Sequence, residues 1–572
     1  MRFWLPWTMI AALLIVSCQS TSDYAVLIRG GTVYDGSGNA PIVTDVAIAG
    51  DTIAAMGNLD GATADQEIDA TDLAVAPGFI NMLSWATESL IIDGRSQGDL
   101  LQGVTLEVFG EGKSPGPMNE AMKQEWLDRF SRYVGSDEEV SRLLDGEQVP
   151  WTTLGEYLEF LEEKGVSTNI ASFVGATSVR IHELGYEDRK PSPNELERMI
   201  ALVTEAMEDG ALGLGSSLIY APAFYAETDE LIALSAEAAR LGGMYISHLR
   251  SEGNRLIEAL DELLTIAEEA NIAAEIYHLK MSGEKNWSKI DDVVERIEAA
   301  QANGLRITAN MYTYTAGATG LNAAMPLWVQ EGGYEAWSER LQDSETRNRV
   351  EREMLERSDH WENLLSAAGS GGTLLTRFLN PDLKKYTGWT LAEVAAARGT
   401  SPQQTAMDLV IEDGSRVGVV YFLMSEQNVK RLIALPWISF GSDGASMSPE
   451  PPFNHFGTHP RAYGNFARLL GKYVRKENVI SLEEAIRRLT SLPAGNLGIK
   501  RRGSLTPGFF ADIVVFNPDG IVDHATYKDP HRFSSGVMHV LVNGQAVIKD
   551  GEHTGATPGR VVRGPGWTGG DL

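Results

Sequence analysis

The segments MYISH at 244–248 and AEIYH at 274–278 are short apolar, strand-like runs that each end in a histidine. His248 and His278 lie thirty residues apart, and a third run of this kind ends at Asp443. One strand and one helix of a parallel barrel occupy about 30 residues, and the carboxyl ends of all barrel strands meet at one face. We therefore expect these three side chains to converge. Two histidines and an aspartate at strand ends are typical of a metal-assisted hydrolase.

Apolar runs and amphipathic helices alternate through the middle of the chain. Helical periodicity is clear between the runs, for example at 227–240 and 256–270, where apolar residues recur every three or four positions. Strands that alternate with such helices form a parallel sheet with the helices outside. The eight predicted barrel strands are 74–80, 104–109, 169–174, 211–215, 244–248, 274–278, 305–312 and 437–441. The expected fold class is therefore α/β, a (β/α)8 TIM barrel. A further strand-like run lies at 417–422, so the predicted number of barrel strands is uncertain by one.

Both chain ends predict a second, smaller domain. Residues 24–75 and 511–548 contain short β-branched runs broken by glycines. We expect the two ends to join as one small β-sandwich, with the barrel inserted between them. A charged, helix-rich stretch inside the barrel region is too long for a loop and predicts a lid over the barrel mouth. The predicted limits are 18–75 and 497–572 for the β-sandwich, 76–496 for the barrel and 323–400 for the lid.

The composition is that of an ordinary globular protein, with 43% hydrophobic and 22% charged residues. The 48 basic and 78 acidic residues give a net charge of −30, which argues against a nucleic-acid partner because phosphate binding needs clustered lysine and arginine. The excess of acidic residues is typical of a well-solvated protein surface. The single cysteine, Cys18, excludes an intramolecular disulfide.

The amino terminus predicts export and attachment to a membrane. An apolar stretch at 9–16 near a positively charged start is too short to cross a bilayer as a stable helix. The segment IVSC at 15–18 resembles a bacterial lipobox, in which residues 1–17 are removed and Cys18 is lipidated. Gln19 stands where inner-membrane lipoproteins carry aspartate, so we expect an outer-membrane lipoprotein that faces the periplasm. An ordinary signal peptide with an incidental cysteine, and hence a periplasmic protein, is the alternative.

Eight segments, in a fixed order, give the chain a family resemblance. They are VAPGFI at 75–80, GALGLG at 210–215 with LIYAP at 218–222, TDEL at 228–231, the two histidine segments, GSDG at 441–444 and PGFFAD at 507–512. Over about residues 24–565 the chain resembles the N-acyl-D-amino-acid deacylase (D-aminoacylase) family of the amidohydrolase superfamily. The resemblance implies a barrel with a small β-sandwich and a divalent metal, usually zinc. It also implies hydrolysis of the amide bond of small N-acyl amino acids, often the D-isomers.

The resemblance also assigns roles to individual residues. His248 and His278 match the two metal-binding histidines of the family. Asp443 matches the aspartate that takes a proton from the attacking water and gives it to the leaving amine, although an Asp-Gly pair is also a common turn. The positions that line the substrate pocket of the family fall on Lys280, Tyr220 and Tyr312. For Tyr220 a packing role is an equal alternative.

The chain departs from the family where the metal should bind. The His-x-His pair that normally ends the first barrel strand is replaced by Leu83 and Trp85, and neither residue binds a borderline cation. The cysteine ligand of the second strand aligns with Gly112, next to Glu111. We therefore expect one zinc ion per chain, bound by Glu111 with the two histidines. A surface or helix-capping role for Glu111, or Glu107 as the ligand, is the alternative.

A third departure concerns the substrate carboxylate. The family places an arginine about eleven residues after the catalytic aspartate, where this chain has Asn454, followed by His455, with Arg461 beyond. Neither Asn454 nor His455 offers the charged, bidentate fork of arginine. These residues do not predict recognition of a free carboxylate. The substrate is then either an amidated or peptide-linked acyl amino acid, or one whose carboxylate Lys280 alone holds.

These observations predict a metal-dependent amidohydrolase that cleaves N-acyl amino acids, with the D-isomers favoured, through a single zinc-activated water. Two alternatives stay open. The first is an inactive barrel that binds a ligand as a lipoprotein, since the first-strand histidines are missing. The second is a cyclic-amide hydrolase or a dipeptidase on the same scaffold.

Overall fold

The structure is a computed structural model that describes residues 22–356 and 358–570. The predicted leader at 1–17 and the predicted lipidation site Cys18 lie outside the described residues. Within them, no helix combines the length and the apolar character that crossing a membrane would require.

Strands and helices alternate through the described residues. The strands are β1 Tyr24–Val33, β2 Ile42–Ala49, β3 Thr52–Gly57, β4 Ala64–Asp69, β5 Ala74–Pro77, β6 Phe79–Asn81, β7 Val104–Phe109, β8 Asn169–Ser172, β9 Val174–Gly175, β10 Gly213–Ser217, β11 Met244–His248, β12 Ala274–Ile276, β13 Ile307–Met311, β14 Ala316–Gly320, β15 Thr373–Arg377, β16 Gly418–Phe422, β17 Ile438–Phe440, β18 Ile513–Phe516, β19 Val537–Val542, β20 Gln545–Lys549 and β21 Glu552–His553. The α-helices are α1 Ser89–Ile92, α2 Gln97–Leu100, α3 Glu120–Val134, α4 Asp137–Leu144, α5 Leu154–Lys164, α6 Ala176–Leu184, α7 Pro193–Glu208, α8 Thr228–Arg240, α9 Leu256–Glu269, α10 Ile290–Ala302, α11 Gly333–Arg340, α12 Ser344–Leu355, α13 Leu364–Ala368, α14 Leu391–Arg398, α15 Pro402–Asp413, α16 Glu426–Ile433, α17 Arg461–Arg468, α18 Leu482–Leu489 and α19 Ser491–Leu497.

The central part of the chain is a closed parallel barrel. Strands β6, β7 and β8 pair in parallel, and so do β9, β10, β11, β12, β13 and β17. Strands β8 and β9 are one strand position interrupted at Phe173, whose amide donates to Phe109 O at 2.9 Å. The barrel closes between its last and first strands, since Met82 N donates to Phe440 O at 3.2 Å and Asp443 N donates to Leu83 O at 2.9 Å. The predicted (β/α)8 fold is confirmed.

One strand prediction was wrong, and the open question about the run at 417–422 has an answer in the structure. The run at 74–80 is two strands, because β5 pairs with β1 and β18 whereas β6 pairs with β7 in the barrel. The chain changes sheets at Gly78, where a Cβ atom would lie 2.1 Å from Thr105 Oγ1, so only glycine fits this close approach. The spare run at 417–422 is not a barrel strand, since β16 pairs with β14 and β15 in a separate antiparallel sheet.

Both chain ends contribute to one curved sheet of nine strands. Its order is β21-β20-β19-β18-β5-β1-β2-β3, with β4 beside β1. The apolar side chains of this domain form one buried cluster that includes Ile28, Val46, Val75, Ile513 and Leu541. The β-domain therefore exists only when the two ends of the chain meet.

The segment between β13 and β17 forms an insertion with its own core. Its three-stranded sheet and helices α11–α15 bury a separate apolar cluster that includes Leu375, Leu391, Val410, Val419 and Tyr421. The insertion contacts loops that follow barrel strands, since Gly283 N donates to Leu423 O at 2.8 Å. It therefore lies at the end of the barrel where the predicted site residues are found.

The last described residues run along the opposite end of the barrel. Ile170 in β8 donates to Arg560 O at 3.0 Å and accepts from Val562 N at 2.8 Å. Gly564 N then donates to Gly210 O, just before β10, at 2.7 Å. Val562 is buried in the apolar cluster that fills the barrel interior. The carboxyl-terminal tail thus joins the starts of two barrel strand positions.

Candidate metal centre

Three predicted ligands meet at the mouth of the barrel. Glu111, His248 and His278 each offer a ligand atom, and these atoms lie within 4.8 Å of one another. Glu111 Oε1 is 3.0 Å from His248 Nδ1 and 2.8 Å from His278 Nε2. All three side chains are buried. The structure therefore brings together the Glu, His, His set that the sequence predicts.

Local backbone conformation directs these side chains inward. Glu111 stands between Gly110 and Gly112, whose φ angles of 106° and 68° are accessible mainly to glycine. His278 follows β12 with a φ of 34°, and its amide donates to Asn310 Oδ1 at 2.9 Å. Because positive φ is costly for a residue with a side chain, this bond to the neighbouring strand holds His278 in place.

The charges of the cluster fit a divalent cation. Burial raises the pKa of Glu111, but the nearby imidazoles of His278 and His248 outweigh this and hold it well below its usual range. Burial and Lys280 lower the pKa of His278, but Glu111 and Glu252 outweigh both and raise it to about 9. The buried carboxylates of Glu111 and Glu252 thus favour positive charge at this position. One carboxylate and two imidazoles are a donor set that suits zinc.

Glu252, which the sequence did not single out, lies behind both histidines. Its Oε1 is 3.1 Å from His278 Nδ1 and accepts a 2.5 Å hydrogen bond from Lys280 Nζ. Its Oε2 is 3.6 Å from His248 Nε2. A carboxylate on the outer nitrogen of a metal-binding histidine fixes the ring orientation and its tautomer. Its place four residues after His248 was the available signal, but it did not distinguish Glu252 among 78 acidic residues.

Asp443 lies beside this cluster in a tight turn. Its φ is 48°, and Asp443 Oδ2 pairs with Arg461 Nη2 at 2.8 Å. Burial raises the pKa of Asp443, and the negative charge of Glu111 adds to this effect, although Arg461 opposes both. A carboxylate with a raised pKa next to a predicted metal site is suited to move protons.

The indole of Trp85 lies between the carboxylates of Glu111 and Asp443. Its Nε1 is 3.1 Å from Glu111 Oε2 and 3.1 Å from Asp443 Oδ1. Leu83, the other residue in place of the His-x-His pair, is fully buried in the apolar barrel interior. The first strand therefore offers no nitrogen ligand at these two positions.

The three predicted pocket residues surround the histidines. Lys280 Nζ lies 2.7 Å from His278 Nδ1 and 5.5 Å from the ring centre of Tyr312. The ring of Tyr220 is 5.5 Å from that of His248. Tyr220 therefore lies beside His248, whereas Lys280 and Tyr312 lie beside His278.

The arginine beside the site is Arg461, which lies beyond the position found by ungapped counting. Asn454 and His455 lie on an exposed segment, whereas Arg461 at the start of α17 points to the site. Its side chain is 2% exposed and stacks on Tyr312 at 4.4 Å. Two of its nitrogens, Nε and Nη1, are buried without a hydrogen-bond partner in the described chain. Counting residues from Asp443 missed it, because the loop before α17 is longer than the family spacing implies.

Comparisons with known proteins match most of the chain. A model of the amidohydrolase family matches residues 66–548. D-aminoacylase from Alcaligenes xylosoxydans xylosoxydans is 31% identical over 96% of this chain and 99% of its own length.

Two solved structures have the same fold over nearly their whole length. A D-aminoacylase, reported with a binuclear metal centre, one-metal activation and second-metal attenuation, has a TM-score of 0.76 at 30% identity, covering 94% of this chain and 100% of its own. N-acyl-D-glutamate deacylase from Bordetella bronchiseptica, solved with zinc and a phosphonate mimic of the tetrahedral intermediate, has a TM-score of 0.76 at 27% identity, covering 94% and 99%. The chain therefore belongs to the amidohydrolase family, among the D-aminoacylases, and is a hydrolase of carbon–nitrogen bonds in linear amides.

Proposed function

We propose that the protein hydrolyses N-acyl-D-amino acids with one zinc ion per chain. The observation that carries the proposal is the buried Glu111, His248 and His278 cluster beside Asp443. A zinc ion held there would supply a Lewis acid that polarises the amide carbonyl and acidifies water. Three protein ligands leave a position open for that chemistry.

Asp443 is the proton carrier in this proposal. Its carboxylate takes a proton from the attacking water as the carbon–oxygen bond forms. The same proton passes to the amine nitrogen as the carbon–nitrogen bond breaks, which releases a carboxylic acid and a free amino acid. The raised pKa of Asp443 favours holding the proton between these two steps.

Arg461 is the proposed anchor for the substrate carboxylate. Its buried Nε and Nη1 have donor capacity that the described protein does not use, and a guanidinium binds a carboxylate through two parallel hydrogen bonds. Lys280 is engaged by Glu252 and lies against His278, so it contributes charge more than a free donor. The free acid should therefore be a much better substrate than its carboxamide.

The test uses purified protein that lacks residues 1–17, loaded with zinc. N-acetyl and longer N-acyl amino acids of both D and L series, their carboxamides, and cyclic amides are compared with and without a chelator. We expect hydrolysis of D-series free acids that the chelator abolishes. Hydrolysis of cyclic amides alone, or no turnover with metal bound, would reject the proposal.

The Arg461→Lys variant tests the anchor separately. We expect its kcat/KM for the free acid to fall roughly 10- to 100-fold, because lysine cannot form the bidentate fork. The rate for the carboxamide should fall much less, since lysine keeps a positive charge beside Asp443. Arg398→Lys, whose guanidinium pairs with Glu412 in the insertion, is the matched control. Equal losses on both substrates would reject Arg461 as the anchor.

We further propose that Cys18 is lipidated and tethers the enzyme to the outer membrane, facing the periplasm. The IVSC segment at 15–18 and Gln19 support this. Mass spectrometry of the full-length protein from a bacterial envelope should find two or more acyl chains on Cys18. A Cys18→Ser variant should appear in the soluble periplasmic fraction. An unmodified Cys18 in the mature protein would reject the anchor.

A further inference from the structure

The indole of Trp85 occupies an unusual place between two buried carboxylates. Its single N–H lies 3.1 Å from Glu111 Oε2 and 3.1 Å from Asp443 Oδ1, so one donor serves two acceptors. Two carboxylate oxygens that converge on one point repel each other, and a cation commonly fills such a point. Here a neutral N–H dipole fills it.

The backbone of Leu83 and Trp85 is hydrogen-bonded to the turn that carries Asp443. Trp85 N donates to Gly444 O at 3.0 Å, and Asp443 N donates to Leu83 O at 2.9 Å. The indole is 39% exposed, so its outer face lines the open mouth of the barrel. The first strand thus holds the ring by its backbone, and the ring contacts both carboxylates from the solvent side.

Glu111 uses its two oxygens for two different partners. Its Oε1 faces the imidazoles of His248 and His278, whereas its Oε2 faces the indole. Among the described residues, Asp443 is not part of the cluster that can hold a metal ion. One side of Glu111 is therefore arranged for a cation and the other for a hydrogen bond.

We propose that Trp85 takes the place of a second metal ion and is a positioning residue for Asp443. Because an indole N–H does not dissociate, Asp443 keeps one orientation whatever the free metal concentration. Excess metal should consequently find no second position, in contrast to the D-aminoacylase reported with second-metal attenuation. The kinetic part of this inference rests on the proposed function, whereas the metal-binding part does not.

The first test counts metal ions in the zinc-loaded and cobalt-loaded protein. We expect one equivalent in the unaltered chain even with a large excess of metal. The Leu83→His/Trp85→His double variant places two imidazoles beside Glu111 and Asp443, and we expect it to bind a second equivalent with a second set of cobalt absorption bands. A second equivalent in the unaltered chain, or only one in the double variant, would overturn the proposal.

The second test uses Trp85→Phe, which keeps a ring and removes the N–H donor. We expect kcat to fall roughly 10- to 100-fold because a hydrogen bond to a charged group is lost, while KM stays within about twofold and one metal remains bound. Trp389→Phe, which alters an indole of similar exposure in the insertion, is the control. A kcat within twofold of the unaltered enzyme, or an equal loss in the control, would overturn the positioning role.

The two tests separate this inference from the proposed function. If no N-acyl amino acid is hydrolysed, the proposed function fails, yet the metal count of the double variant still decides whether Trp85 fills a cation position.

Discussion

The two oxygens of Glu111 lie in contrasting surroundings. On the Oε1 side the neighbours are His248 and His278, with Glu252 behind them, and every partner is buried and able to carry charge. On the Oε2 side the neighbour is Trp85, which is neutral and partly exposed. One carboxylate thus separates an ion-binding half from a hydrogen-bonding half. In our proposal, the first half binds the metal ion and the second half holds Asp443 by a fixed hydrogen-bond donor.

The largest expected effect comes from removing the ion-binding half. His278→Ala deletes one of three ligands, so we expect the bound zinc to be lost and hydrolysis to fall about 10³-fold or more. Metal analysis of the dialysed protein and the rate of amide hydrolysis provide the check. His182→Ala, on α6 and away from the cluster, should leave both unchanged. A variant that keeps one zinc would mean that the metal binds elsewhere.

A nearly equal loss should follow from changing Asp443, the second carboxylate that contacts Trp85. Asp443→Asn keeps the contact geometry but removes the group that carries the proton, so we expect kcat to fall roughly 10²- to 10⁴-fold. The zinc content should stay at one per chain, since Asp443 lies outside the ligand cluster. Turnover within tenfold of the unaltered enzyme would contradict its role as proton carrier.

A smaller effect is expected from changing Glu252, the carboxylate that contacts the outer nitrogens of His248 and His278. Glu252→Gln weakens the hold on the outer nitrogens of both rings, and we expect zinc affinity to fall about 10- to 100-fold. Competition with a coloured chelator measures this change. Glu258→Gln, an exposed position on α9, is the matched control. Unchanged affinity would show that the rings are oriented without Glu252.

The smallest effect is a dependence of stability on pH. Burial, together with the negative charge of Glu252, raises the pKa of Glu362 in the insertion from 4.5 to about 7. The folded state therefore binds more protons than the unfolded chain between these values, and stability falls as pH rises through this window. We expect Glu362→Gln to gain about 1 kcal/mol at pH 8 relative to pH 5, a modest value because the side chain is partly open to solvent.

Thermal unfolding at the two pH values checks this expectation. The same comparison is then repeated in a protein that also carries Glu252→Gln. With the neighbouring charge removed, the benefit of Glu362→Gln should shrink. An equal difference in Tm at both pH values would mean that Glu362 does not titrate in this window.

Local patterns made the barrel and its ligands predictable. His248, His278 and Glu111 each follow a short apolar strand, so their meeting follows from the topology alone. The split at Gly78 was not predictable, because the apolar run continues unbroken while the chain passes from one sheet to another. Only the packing against Thr105 reveals the boundary.

Residues that reach the site from loops were the ones missed. Arg461 arrives on α17 after an irregular segment whose length the spacing from Asp443 did not reveal. Glu252 follows its strand by four residues in a loop, where no periodicity assigns a direction to a side chain. Contacts of this kind depend on tertiary packing, which a single sequence does not encode in any short pattern.

The carboxyl-terminal tail also bears on how the protein is made. Arg560, Val562 and Gly564 bond to residues about 350 to 390 positions earlier, at the starts of barrel strands. During synthesis these residues leave the ribosome after every barrel strand, so the contacts that join the two strand starts form late in folding. Until these contacts form, the end of the barrel opposite the site lacks the strand-to-strand bridge that the tail supplies.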